Sequence, residues 1–220
     1  MTEPMTEPNT EPVTDRRVRA YIGLGANVGA TSDTLAAAVT ALGALHGVRL
    51  RGVSRLYATD PVGLTDQPEF RNAVVALDVP AGPDPTTGAL KLLVALKDLE
   101  RAFGRQRRRR WGPRELDLDL LIFGRARLAV ERPSEARSIH AAGDPAKAAR
   151  LLEVPHREAS DRLFVLAPLA DLAPRLVPPG WPVTVESARR RQVETEGPDA
   201  VRPIGEWDAA ERAWRPIQPR

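Results

Sequence analysis

The chain has 220 residues, 42% hydrophobic and 28% charged, with a net charge of +3, enough for one domain with its own core. No apolar run reaches the roughly 18–20 residues of a membrane span, and the N-terminal stretch MTEPMTEPNTEPVTDRR has neither the basic start nor the apolar segment of a secretory signal. Absence of cysteine excludes disulfides, thiolate metal sites and cysteine nucleophiles, and a cytoplasmic location is expected.

Residues 1–17 carry the near-repeats MTEP, MTEP and NTEP, have almost nothing to bury, and read as a disordered tail. A strand is expected over 18–24, where Val18, Ala20, Ile22 and Leu24 alternate. The glycine-rich turn GLGANVG follows, and Thr31 or Ser32 can cap a helix with Leu35, Val39, Leu42 and Leu45 on one face. A second strand is expected over 48–57. The irregular ATDPVGLTDQPEF then leads into a third over 72–79. Asp84 and Pro85 make a helix start. That helix turns Leu92, Leu93, Leu96 and Leu99 inward and stops near Phe103 at Gly104.

Beyond a basic loop, 116–123 is a strong strand, 131–152 reads as an inserted polar loop, and 164–172 as a short helix. The domain is thus expected over 18–174. A proline- and charge-rich extension, 175–220, follows, with Trp181, Trp207 and Trp214 expected to pin it to the domain. The order β-α-β-β-α-β predicts an α/β fold, a two-layer sandwich of the ferredoxin-like kind.

The chemistry concentrates in 105–119, RQRRRRWGPRELDLD. On a strand Asp117 and Asp119 point the same way, roughly 7 Å apart, while Leu116, Leu118 and Leu120 take the core face. Two such carboxylates suit divalent cations, and Mg²⁺ favours a partial carboxylate set completed by water and phosphate. The bland alternative is two surface aspartates on an edge strand.

Lys91, Lys97 and Lys147 are the only lysines, so the basicity is arginine, and seven arginines fall between Arg101 and Arg114. Such a cluster repels itself unless anions intervene, and guanidinium forks bind phosphate oxygens in pairs. Arginines beside paired aspartates are the arrangement of phosphoryl transfer, whereas nucleic-acid binding would not call for the aspartates.

Gly23, Gly25 and Gly29 are spaced one residue too widely for a dinucleotide fingerprint, and no Walker-type loop occurs. Gly23 and Gly25 are expected to serve a tight turn and close backbone approach. Phe70 and Asn72 share a strand face where they could stack on and hydrogen-bond a flat heterocycle, or simply pack in a core. His156 has no histidine partner at metal-ligand spacing.

These segments resemble one family closely, 6-hydroxymethyl-7,8-dihydropterin pyrophosphokinase of folate synthesis. The resemblance runs from Tyr21 to Pro174. It rests on YIGLGAN at 21–27, SRLYATDPVG at 54–63, DQPEFRN at 66–72, RWGPRELDLD at 110–119, VPH at 154–156 and FVLAPL at 164–169.

It implies a ferredoxin-like fold and transfer of diphosphate from ATP to a dihydropterin, with AMP released. By resemblance Asp117 and Asp119 hold two Mg²⁺ ions, and Asp117 lies near the pterin hydroxyl. Arg105 and Arg114 engage the phosphates, and Arg107 and Arg110 belong to a closing loop. Glu100, Trp111, Leu120, His156 and Arg162 match ATP-side positions. Thr59, Val62, Phe70, Asn72 and Phe164 match the pterin pocket, the two phenylalanines sandwiching the ring.

Several positions depart from the family pattern. Phe70 stands where a tyrosine is common, Glu153 and Arg157 replace a threonine and a tyrosine, the loop before Trp111 is slightly shorter, and 131–152 is longer than usual. A monomer acting on small molecules is expected, without nucleic acid or membrane partners. The competing readings are a catalytically silent nucleotide-binding relative and an arginine-rich RNA-binding module. The second would require paired exposed aromatics, in a chain only 5% aromatic.

Overall fold

The computed structural model describes residues 16–61, 66–104, 114–132 and 149–217. These form a mixed α/β structure of nine strands and four α-helices. The first half of the chain gives β1 (Arg17–Ala26), α1 (Thr31–Ala44), β2 (Arg49–Val53), β3 (Leu56–Thr59), β4 (Phe70–Pro80) and α2 (Pro85–Ala102). The second gives β5 (Asp117–Phe123), β6 (Leu128–Glu131), β7 (Arg150–Val154), α3 (Leu163–Leu172), α4 (Val185–Glu196), β8 (Val201–Asp208) and β9 (Ala213–Pro216). The main sheet is antiparallel in the order β5-β1-β4-β3-β8-β9, with β2 also on β4, and β6 pairs with β7 separately.

Alternation along β1 decides which residues face which layer. Ala20, Ile22, Leu24 and Ala26 join Val75, Leu77, Leu118 and Leu120 in a core closed by Leu35, Val39 and Leu42 of α1 and Leu92 and Leu96 of α2. Each fully buried leucine contributes about 2 kcal/mol. Tyr21, Val74, Ala76, Leu121 and Ile122 take the other face, beneath Leu166 and Leu169 of α3 and Val185 and Ala188 of α4. Helices therefore cover both faces where two layers were expected, because α3 and α4 occupy the side that a β-α-β-β-α-β unit leaves open. Among the described residues no helix is long and apolar enough to cross a membrane.

Local chemistry sets the ends of α2 as expected. The Asp84 carboxylate accepts from the Thr87 amide at 2.9 Å, Pro85 takes the first turn, and Gly104 at φ +82° ends it. Helix α1 differs from expectation: Thr31 and Ser32 lie inside it, and Ala30 takes the cap position without a side-chain bond. The turn before it accounts for this, since the Thr31 amide already donates to Gly29 O at 2.9 Å.

The single strand expected over 48–57 is broken at Ser54–Arg55 into β2 and β3. Ser54 Oγ accepts from the Val74 amide at 2.9 Å, and its carbonyl accepts from Trp214 Nε1 at 2.9 Å. Both ends of the stretch read as an inserted loop are strand: Glu131 closes β6, and Arg150 to Leu152 begin β7. Its middle, 133–148, lies outside the described residues, as do residues 1–15 of the tail read over 1–17; the end of that tail, Arg17, instead opens β1 opposite Pro80.

The tryptophans do pin the extension. Trp207 and Trp214 meet edge to face at 4.7 Å between β8 and β9, and Trp181 packs on the apolar cluster under α3 and α4.

Candidate active site

Gly23 and Gly25, expected in a turn, are inside β1, with β4 on one side and β5 on the other. Gly25 is paired with Asn72 across β4 and with Asp117 across β5; Gly23 is paired with Val74 and Asp119. Directly paired residues project to the same sheet face. Asp117 and Asn72 therefore stand roughly 10 Å apart across a glycine that fills none of the space between them. The close approach is literal, since a Cβ on Gly25 would lie 3.3 Å from Asn72 Oδ1. β5 bulges at Leu121, where the register with β1 shifts, and the Leu121 side chain stays on the same face as the aspartates.

A cavity of about 340 Å³ opens over this floor, large enough for a small organic ligand. One wall carries Thr59, Phe70 and Asn72 from β3 and β4 with Phe164 from α3. The other carries Lys97, Arg114, Asp117 and Asp119, with His156, Glu158 and Arg162 along the rim.

Asn72 is buried and donates from Nδ2 to Thr59 Oγ1 at 2.9 Å, which fixes the amide and turns Oδ1 over Gly25. The Arg162 guanidinium lies 5.5 Å from the Phe164 ring centre and is paired with Glu158. His156 is tied to β5 by its amide, which donates to Leu121 O at 2.8 Å.

Arg114 reaches Asp117 through an ion pair. Its backbone is fixed by Asn27: the Arg114 amide donates to Asn27 Oδ1 at 2.7 Å, and the Asn27 amide donates back to Arg114 O at 3.0 Å. Asn27 Nδ2 also donates to Gln67 Oε1 at 3.0 Å and to Pro68 O at 3.3 Å. One buried amide thus holds the entry to β5 against the segment leading into β4.

The structure gathers Arg114, Asp117, Asp119, His156, Arg162, Thr59, Phe70, Asn72 and Phe164 into one cavity. Two expected ATP-side residues turn away from it. Leu120 is in the core beneath α1 and α2, on the far face of β5, because strand alternation puts it opposite Asp119. Glu100 is buried at the end of α2 and accepts from the Leu118 amide at 2.7 Å and from Lys97 Nζ at 2.7 Å. Burial raises its pKa, and the Lys97 charge opposes that rise. Arg105, Arg107, Arg110, Trp111 and Val62 lie outside the described residues.

Sequence reasoning missed Lys97, which bridges Glu100 and Leu118 O (3.1 Å) at the cavity wall. The available signal was a lysine in an arginine-rich chain, three residues before Glu100 on the helix that leads into the basic loop. Among the described residues no three acidic, histidine or cysteine groups converge as a complete metal cage. The donor set is the aspartate pair, an incomplete oxygen shell of the kind Mg²⁺ fills with water and phosphate.

The family description 7,8-dihydro-6-hydroxymethylpterin-pyrophosphokinase (HPPK) matches residues 21–174. The chain belongs to the HPPK family. A 2-amino-4-hydroxy-6-hydroxymethyldihydropteridine pyrophosphokinase of Pseudomonas aeruginosa is 42% identical over 158 residues, 72% of this chain and 82% of that one. The mitochondrial folate synthesis bifunctional protein of Arabidopsis thaliana is 36% identical over 151 residues, 69% of this chain and 23% of that protein.

A solved HPPK-DHPS of Plasmodium falciparum with STZ-DHP superposes with a TM-score of 0.68 at 13% identity, which speaks to fold alone. It covers 94% of this chain and 52% of that chain, so the present chain spans about half its length. Membership in the HPPK family makes this chain an enzyme of the pyrophosphokinase type in folate biosynthesis.

Proposed function

We propose that the enzyme transfers the terminal diphosphate of ATP to the hydroxymethyl oxygen of 6-hydroxymethyl-7,8-dihydropterin and releases AMP. The observation that carries this reading is the row Asp117, Gly25 and Asn72, which sets a cation-binding carboxylate and a heterocycle-reading amide on one floor at substrate spacing. The pterin ring stacks between Phe70 and Phe164, with Asn72, oriented by Thr59, accepting from its edge. Val62, outside the described residues, is assigned to pterin binding by the family resemblance alone.

Asp117 and Asp119 would hold two Mg²⁺ ions, which would supply charge neutralisation at the phosphate oxygens and a more acidic acceptor hydroxyl. The chain's own groups position and screen. Arg114 and Lys97 bring positive charge beside the aspartates, and Arg162 and His156 supply donors along the rim. Arg105, Arg107, Arg110 and Trp111 complete the ATP side. Glu100 and Leu120 act from behind β5, Glu100 by fixing Lys97 and the Leu118 amide.

The acceptor hydroxyl loses its proton to water as its oxygen bonds to the β-phosphorus in line, and the bond to the bridging oxygen of AMP breaks with its electron pair. Ferredoxin-like classification of the core is part of this reading, supported by the order β5-β1-β4 with β2 and β3 both on β4. A cytoplasmic monomer without a nucleic-acid partner completes it.

The test is to incubate the chain with ATP, Mg²⁺ and the pterin and identify the nucleotide product. Pterin-dependent AMP equal to diphosphorylated pterin is expected. ADP would overturn the reaction type, and bound ATP without product would point to a silent relative.

A further inference from the structure

The family match ends at residue 174, yet the chain beyond it contacts both β3 and the helix that carries Phe164 on the acceptor side of the cavity. Strand β8 pairs along β3, with Val201 opposite Thr59 and Arg202 opposite Ala58, so the strand that carries Thr59 lies between β4 and β8. The Arg202 guanidinium contacts both Asp60, 3.4 Å away at the end of β3, and Glu69, at the start of β4; it also donates to Asp199 O at 3.2 Å. Glu69 is shared with Arg71 at 2.9 Å. The two strand ends that present Thr59 and Phe70 are thus bridged by one cation from outside the matched domain.

Phe164, on the same wall but carried by α3, is held from the same source. Phe164 packs on an apolar cluster of Tyr57, Leu163, Ala167 and Val201, together with Val193 and Ala200. The first amide of α3, that of Leu163, donates to Glu196 Oε1 at 3.0 Å, so a carboxylate of α4 caps the helix that carries Phe164. Arg202 and Glu196 are separate contacts on separate elements, and each ends on the residue next to an aromatic of the acceptor pocket: Glu69 before Phe70, and Leu163 before Phe164.

We infer that residues 185–202 are a brace for the acceptor side of the site, with Arg202 and Glu196 as positioning residues that set the spacing of Phe70 and Phe164. This rests on the pterin reading of that pocket. Among the described residues neither Arg202 nor Glu196 contacts Asp117, Asp119 or Lys97, so loosening the brace acts first on the aromatic slot, and reaches the ATP side only through Arg162, which lies over Phe164.

The experiment uses the full chain with Arg202→Ala, Glu196→Ala and the double variant, alongside Arg202→Lys and Glu196→Gln, which keep a charge and an acceptor respectively. The KM of each substrate is measured with the other saturating. The expected result is a pterin KM raised about two- to fivefold in each alanine variant and about tenfold in the double, since Arg202 is part-exposed and Glu196 leaves a helix amide without its cap. The KM for ATP stays within twofold, and the conservative variants recover most of the loss.

An unchanged pterin KM in the double variant, or an equal rise for pterin and ATP, would overturn the brace. A wild-type chain that makes no AMP from the pterin would instead remove the functional reading beneath it, so the two failures are told apart in the same assay.

Discussion

Gly25→Ala isolates the contact that orients Asn72, the residue proposed to read the acceptor. The added Cβ lies 3.3 Å from Asn72 Oδ1, tight enough that the amide must give by a few tenths of an ångström. Asn72 is buried and tied to Thr59 Oγ1 at 2.9 Å, so the shift is taken from that hydrogen bond. A neutral hydrogen bond of this kind contributes about 1 kcal/mol, which corresponds to about fivefold in acceptor affinity. Against this, alanine for glycine in an extended strand restricts the unfolded chain and returns about 0.5 kcal/mol, so global stability should hardly change.

The same substitution at Gly23 meets only Leu121 at 3.5 Å, an ordinary contact, and should cost less. Pterin affinity by fluorescence titration and urea unfolding read the two quantities separately. In an Asn72→Ala background Gly25→Ala should have almost no further effect on affinity. An equal loss with and without Asn72 would refute the argument that the glycine acts by giving that amide room.

Asp117→Ala and Asp119→Ala should each lower turnover by about a thousandfold or more with circular dichroism unchanged, and wild-type rates at limiting Mg²⁺ would end the assignment. Glu100→Ala strips the Leu118 amide and Lys97 of a buried partner, and should destabilise by about 2 kcal/mol in urea unfolding; Glu100→Gln, which still accepts, should cost less.

Glu186 is paired with Arg189 and Arg190, which hold its pKa at about 2, below the ordinary 4.5. Its contribution is therefore complete above about pH 4.5 and fades as pH falls through about 2. Glu186→Gln should lower Tm by about 2 °C at pH 7, with the gap closing toward pH 2.

Features with a local cause were legible in the sequence. Asp84, Pro85 and Gly104 bound α2 through their own backbone and capping chemistry, and the alternation of Asp117 to Leu120 put the carboxylates on one face. Features decided by distant partners were not. The break at Ser54 depends on Val74 and Trp214, residues 20 and 160 positions away, and no window around Ser54 contains them. Gly23 and Gly25 read as a turn because glycine-rich runs usually are, yet here two neighbouring strands recruit them as floor.

The site was half legible for the same reason. The aspartates and arginines announce themselves by type and density. Lys97 becomes visible only when α2 is laid against β5, and Glu100 is seen to face inward only then, whereas alternation along β5 alone put Leu120 on the core face.

The position of β8 also decides which strand lies at the edge of the main sheet. Without the final hairpin, β3 would be the outer strand of the main sheet, and all four of its residues, Leu56 to Thr59, are buried ones offering an unpaired row of amides and carbonyls to any passing chain. With the hairpin in place that outer position falls to β9, four residues long and carrying Arg215 and Pro216. A short border with a charge and a missing amide is a poorer template for another strand than β3 would be.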